Sequence, residues 1–169
     1  MSVEEILKSD QNNIELPDKL MGDQAWYGPE MMNSSEWIYS LSDTDIDEIN
    51  VALRSVEGLD IAKITEKDFR LPKLSEKLKN IRADVIDGRG FSLIRGLPVE
   101  SWSTKLSATA YYGLGAHIGS ARSQNGMGHV LGHVRDLGRD AVNDKNARIY
   151  QTRERQNFHT DSCDVVSLL

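Results

Sequence analysis

The stretch Arg89-Gly-Phe-Ser-Leu-Ile-Arg-Gly-Leu-Pro98 decides how this chain of 169 residues is read. Phe91, Leu93 and Ile94 lie between glycines, and Pro98 closes the run. That pattern predicts a short, mostly buried strand. The residues before it carry helical signals and the residues well after it carry strand signals. The fold expected is therefore α+β, helical in its first two thirds and strand-like in its last third.

Upstream, Ser42 followed by Asp45 has the form of a capping box with Asp in place of Glu. Ile46, Ile49, Leu53 and Val56 then recur on one helical face, and Gly58 ends the helix. Pro72 opens a second helix with Leu74, Leu78, Ile81 and Val85 as its stripe, stopped by Asp87-Gly88. Residues 1–35 read as an irregular arm in which Trp26, Tyr27, Met31 and Met32 dock onto the body. Downstream, Ser103–His117 predicts a third helix with Leu106, Ala110 and Leu114 on one face, weakened at its end by Gly113 and Gly115. His129–Asp136, Arg148–Thr152 and Val165–Leu169 read as short strands. A sheet of these strands alone would leave an unpaired apolar edge at Leu169, an association-prone feature. The expectation is that more chain normally follows.

Composition narrows the function classes. No apolar run reaches the ~18 residues of a membrane span, and the acidic N-terminus lacks a signal-peptide pattern. A cytoplasmic protein is expected. Residues 1–50 hold 12 acids against Lys8 and Lys19, while the rest of the chain holds 14 acids and 18 bases. With no concentrated basic stripe, nucleic-acid binding is not expected. The single cysteine, Cys163, excludes an internal disulfide and a multi-cysteine zinc site. Its neighbours Asp161 and Asp164 disfavour a thiolate nucleophile. Gly113-x-Gly115-x-x-x-Gly119 has the wrong spacing and follows a helix, so it is no dinucleotide fingerprint. The chain contains no phosphate-binding loop and no Gly-x-Ser-x-Gly elbow.

Asn157-Phe-His-Thr-Asp-Ser-Cys-Asp164 carries the sharper chemistry. On extended backbone, residues two apart face the same way, so His159 and Asp161 can reach one metal ion. They would supply two positions of a two-histidine, one-carboxylate facial triad. Phe158, Val165 and Val166 would anchor that strand in a core. The alternative is a polar strand end whose His and Asp merely hydrogen-bond. His129 and His133, four apart on a strand, would lie about 13 Å from each other, too far for one metal. His117, near a helix end, has an ordinary structural role. Arg122, Arg135, Arg139, Arg148, Arg153 and Arg155 either bind a carboxylate ligand or pair internally with Asp136, Asp140 and Glu154.

Three segments, Gly88–Glu100, Tyr111–Asp140 and Arg148–Leu169, occur in this order. Together with Trp26-Tyr-Gly, Trp37-Ile38 and Leu71-Pro72 they resemble the taurine catabolism dioxygenase-like family of iron(II)- and 2-oxoglutarate-dependent oxygenases. The resemblance implies residues 1–86 as an N-terminal arm and helices, and residues 87–169 as the first part of a double-stranded β-helix, a cupin-like jelly roll. It implies His159 and Asp161 as iron ligands, with 2-oxoglutarate as cosubstrate. Oxygen and a small organic substrate complete the reaction, which releases succinate and CO2. It also implies a distal histidine and a 2-oxoglutarate-binding arginine, which this sequence does not contain after Asp161. The chain therefore reads as a truncated oxygenase with little activity by itself. Gln124 and Asn125 are candidates for lining the cofactor pocket. The other readings are a non-catalytic remnant or interaction module that self-associates through its open sheet edge, and a chain whose partner supplies the remaining barrel.

Overall fold

The computed structural model describes residues 18–19, 21–140, 143–161 and 163–169. Its elements run α1 (Gly28–Met32), β1 (Ile38–Ser40), α2 (Asp43–Ser55), a 3-10 turn (Ile61–Lys63), α3 (Leu74–Ile86), β2 (Leu93–Arg95), α4 (Thr104–Ala116) and a second 3-10 turn (Ile149–Gln151). The α+β class holds, with one two-stranded sheet among the described residues.

The sheet is parallel, with Ile38 opposite Leu93, Tyr39 opposite Ile94 and Ser40 opposite Arg95. Parallel strands need a crossover, and α2, the first 3-10 turn and α3 supply it. Further bonds extend the pairing: Leu93 N–H donates to Trp37 O at 2.8 Å, and Leu41 N–H to Arg95 O at 2.8 Å.

Local chemistry explains the helices. The Ser42 side chain accepts from Asp45 N–H while the Asp45 carboxylate accepts from Ser42 N–H, so the capping box forms as read. Gly58 adopts φ +83°, the left-handed conformation that lets the chain leave α2 without strain. The start of α3 has no cap of its own, and Lys73 makes none with its side chain. Glu48 of α2 reaches across instead, accepting from Lys73 N–H at 3.0 Å and Leu74 N–H at 2.8 Å. Ser103 caps α4 through Leu106 N–H.

The apolar faces meet in one core. Ile49, Ala52, Leu53 and Val56 of α2 pack with Leu74 and Leu78 of α3, Ala110 and Leu114 of α4, and Ile64, Phe69 and Leu71 from the connection. Gly113 does not end α4, which continues to Ala116. The absent side chain admits the Phe69 ring, because a Cβ there would lie 2.5 Å from it. The arm docks only in part. Trp26 and Trp37 both pack against Phe91, at centroid distances of 5.1 and 5.7 Å, whereas Tyr27 and Met32 are exposed.

The last third differs from expectation. His129–Asp136, Arg148–Thr152 and Val165–Leu169 form no ladder strands, and among the described residues there is no closed barrel. Two backbone bonds do join the first two segments, Arg135 N–H to Tyr150 O and Leu137 N–H to Gln151 O. Residues 149–151 nonetheless wind into a 3-10 turn, where local bonds take over: Thr152 N–H and hydroxyl both donate to Ile149 O. A strand depends on a neighbouring ladder, and Val165–Leu169 pairs with none among the described residues. No described helix is long and apolar enough to cross a membrane.

Candidate metal centre

His159 and Asp161 lie on non-helical backbone beyond the second 3-10 turn. Thr152 anchors that turn as a buried residue, and its hydroxyl also accepts from Glu154 N–H. His159 Nδ1 lies 2.7 Å from Asn157 O. A carbonyl only accepts, so Nδ1 carries a proton, and in the neutral ring Nε2 keeps a lone pair. That Nε2 faces Asp161 Oδ1 at 3.9 Å, with both side chains about half exposed. Backbone support of one ring nitrogen, leaving the other as donor, is the usual arrangement behind a metal-bound histidine.

The donor set is one imidazole nitrogen and one carboxylate oxygen, chemistry that suits a divalent transition metal. Ligand bonds of about 2.1 Å place neighbouring donors about 3 Å apart. The observed separation of 3.9 Å is about 1 Å wider than that. Among the described residues no third His, Cys, Asp or Glu joins them.

The flanks are not as read. Phe158 anchors no core: it is 98% exposed and meets only the Arg155 guanidinium, 5.8 Å from its ring centroid. Val165 is half-buried and Val166 exposed. Cys163 is exposed and free, its thiol 3.5 Å from Val165 O.

The other histidines have separate surroundings. His117 is the C-cap of α4 and is buried. Its Nε2–H donates to Phe69 O at 2.7 Å, which ties the connection to α4. Its Nδ1 has no hydrogen-bond partner and lies 3.5 Å from Glu66 Oε1. His129 and His133 are not on a strand but line one groove together.

Gln124 and Asn125 sit on the exposed loop before His129, and their amides serve that loop. Gln124 Nε2 donates to Arg122 O at 3.0 Å. Asn125 Oδ1 accepts from Met127 N–H and His129 N–H, and its Nδ2 lies 2.9 Å from His129 Nδ1. Among the arginines, Arg139 pairs internally, with the Asp144 carboxylate and with Gln151 Oε1. The N–H of Asn146 and the Arg139 guanidinium hold the Asp144 carboxyl below its ordinary range.

A cluster that sequence reasoning missed centres on Asp45. The buried carboxylate accepts from Ser42 N–H, Ser42 Oγ, Tyr39 OH and Lys77 Nζ. Burial alone would raise its pKa. The bonds from Ser42, Lys77 and Tyr39 outweigh burial and lower it to about 2. Only the capping-box spacing had marked Asp45; Tyr39 and Lys77 reach it through β1 and α3.

The chain is 28% identical over 156 residues to FR-33289 synthase of Streptomyces rubellomurinus, covering 91% of this chain and 46% of that protein. It is 27% identical over 163 residues to taurine hydroxylase-like protein SAT17 of Stachybotrys chartarum, covering 92% of this chain and 42% of that protein. No family model matches. The chain is thus similar over nearly its whole length to two curated proteins, one of them named as taurine hydroxylase-like, and spans less than half the length of each.

Proposed function

We propose that this chain is part of an iron(II)- and 2-oxoglutarate-dependent oxygenase of the taurine catabolism dioxygenase-like family, with a jelly-roll catalytic domain. The observation that carries the reading is the placement of the His159 ring, Nδ1 against the Asn157 carbonyl and Nε2 towards Asp161. The Asn157 carbonyl holds Nδ1–H and leaves the Nε2 lone pair beside Asp161 Oδ1. The similarity to a taurine hydroxylase-like protein supports the same class.

The residues would act as follows. His159 Nε2 and Asp161 Oδ1 would hold the metal. Asn157 O keeps the imidazole oriented and makes its free nitrogen a better donor. Bound iron, with 2-oxoglutarate and O2, supplies the oxidising step, releasing succinate and CO2 and placing one oxygen atom in a substrate C–H bond. Among the described residues the pair has no third protein ligand, and two ligands retain a metal more weakly than three, so succinate formation by residues 1–169 is expected to stay at background.

Manganese(II) titration followed by electron paramagnetic resonance tests the ligand assignment without turnover. His159→Ala and Asp161→Ala are each expected to weaken binding at least about tenfold. Unchanged affinity in both variants would remove the reading. A second reading, an interaction module, draws on the exposure of Val166, Leu168 and Leu169. Sedimentation at increasing concentration separates the two: a mass that rises with concentration supports the module.

A further inference from the structure

An open groove of 310 Å³ lies between the first 3-10 turn and the loop that precedes the metal pair in sequence. Asp60, Ile61 and Ala62 form one wall; Gly128, His129, Val130, Leu131 and His133 form the other. Small-molecule sites combine an apolar lining with few polar groups, and a groove this open would cover only one side of a small ligand. Ile61, Ala62, Val130 and Leu131 supply the apolar lining here.

The polar groups are not equivalent. Asp60 is committed locally, with Oδ1 accepting from Ala62 N–H at 3.1 Å and Oδ2 3.9 Å from Lys63 Nζ. His129 is set up differently. Asn125 Oδ1 meets two backbone N–H groups, so the amide nitrogen must be the atom facing His129 Nδ1. An amide nitrogen only donates, hence Nδ1 accepts and Nε2 carries the proton. The ring therefore offers a fixed N–H donor. The wall opposite is held in place by α4, whose Tyr112 hydroxyl donates to Ala62 O at 3.3 Å.

We propose that this groove binds a small molecule with a compact apolar body and one acceptor oxygen, a carboxylate or carbonyl, received by His129 Nε2–H. Asn125 acts as a positioning residue: its amide is spent on the loop and on the ring, and it sets which His129 nitrogen donates. The site shares no residue with the His159–Asp161 pair and stands without the metal reading.

The test is a titration of the metal-free full chain with 3-methylbutanoate, read from the methyl resonances of Ala62, Val130 and Leu131 and the ring nitrogens of His129. Saturable shifts are expected, with a Kd on the order of 1 mM, suited to so small a ligand. The cation 3-methylbutylamine, lacking an acceptor, should produce none. His129→Phe keeps a ring without the donor and should weaken binding about tenfold. Asn125→Ala should move the His129 nitrogens away from the Nε2–H tautomer. His159→Ala should leave the Kd unchanged. Absence of saturation, equal response to the amine, an unchanged Kd in His129→Phe or a lost response in His159→Ala would each overturn the proposal.

Discussion

Asp45 joins Ser42 at the start of α2 to Tyr39 on β1 and Lys77 on α3. Its pKa is lowered from 3.8 to about 2 in the fold. A depressed carboxylate stabilises the folded state at pH values above its unfolded pKa. That contribution disappears as pH falls through the folded value, here between about pH 4 and pH 2. The shift corresponds to about 2 kcal/mol. Asp45→Asn is expected to lose about that much at pH 7 in urea unfolding, and to flatten the acid limb of the stability profile. Gly113 gives the second residue-scale expectation. Its contact with the fully buried Phe69 leaves no space for a methyl group. Gly113→Ala should cost about 1–3 kcal/mol despite the better helix propensity of Ala; a stabilised variant would show that the ring yields.

At the scale of elements, Glu48 caps a helix that does not contain it. Removing it exposes the N–H groups of Lys73 and Leu74. Glu48→Ala should therefore cost about 1 kcal/mol, with amide exchange rising first at the start of α3. The elements also divide by where their information lies. α2, α3 and α4 were legible because apolar spacing is local, and α2 also because its capping box is; the Glu48 cap of α3 is not local and was not read. β2 was legible because glycines and a proline bracket it. β1 was not, since Ile38–Ser40 is a strand only by virtue of Leu93–Arg95. The strand signals at His129–Asp136, Arg148–Thr152 and Val165–Leu169 misled for the converse reason: β-branched residues favour a strand but cannot create its neighbour. At the candidate centre, the spacing of His159 and Asp161 could be read in advance. The Asn157 and Asn125 bonds that fix two imidazole tautomers could not, because they depend on backbone path.

Across the whole molecule, the described hydrophobic core draws only on residues 49–114, with partly buried apolar neighbours from Tyr39 to Ile118. From residue 119 onward, Thr152 is the one buried residue among those described. Met127, Val134, Leu137, Phe158 and Leu168 remain exposed there. Within the described residues, limited proteolysis should cut first after residue 119 and leave a resistant fragment containing α2 to α4. Protection of 120–169 equal to that of α2 would contradict this distribution.

The parallel pairing of β1 with β2 also sets a schedule for synthesis. Ser92 bonds to Trp37 across a separation of 55 residues. At about 5–20 residues per second, a ribosome takes roughly 3–11 s to make that interval. Helix formation needs about a microsecond. The nascent chain therefore has the α2 segment for about 2–8 s, and the α3 segment for about 0.4–1.4 s, before β1 has anything to pair with, so the sheet closes only after both helical segments have been made.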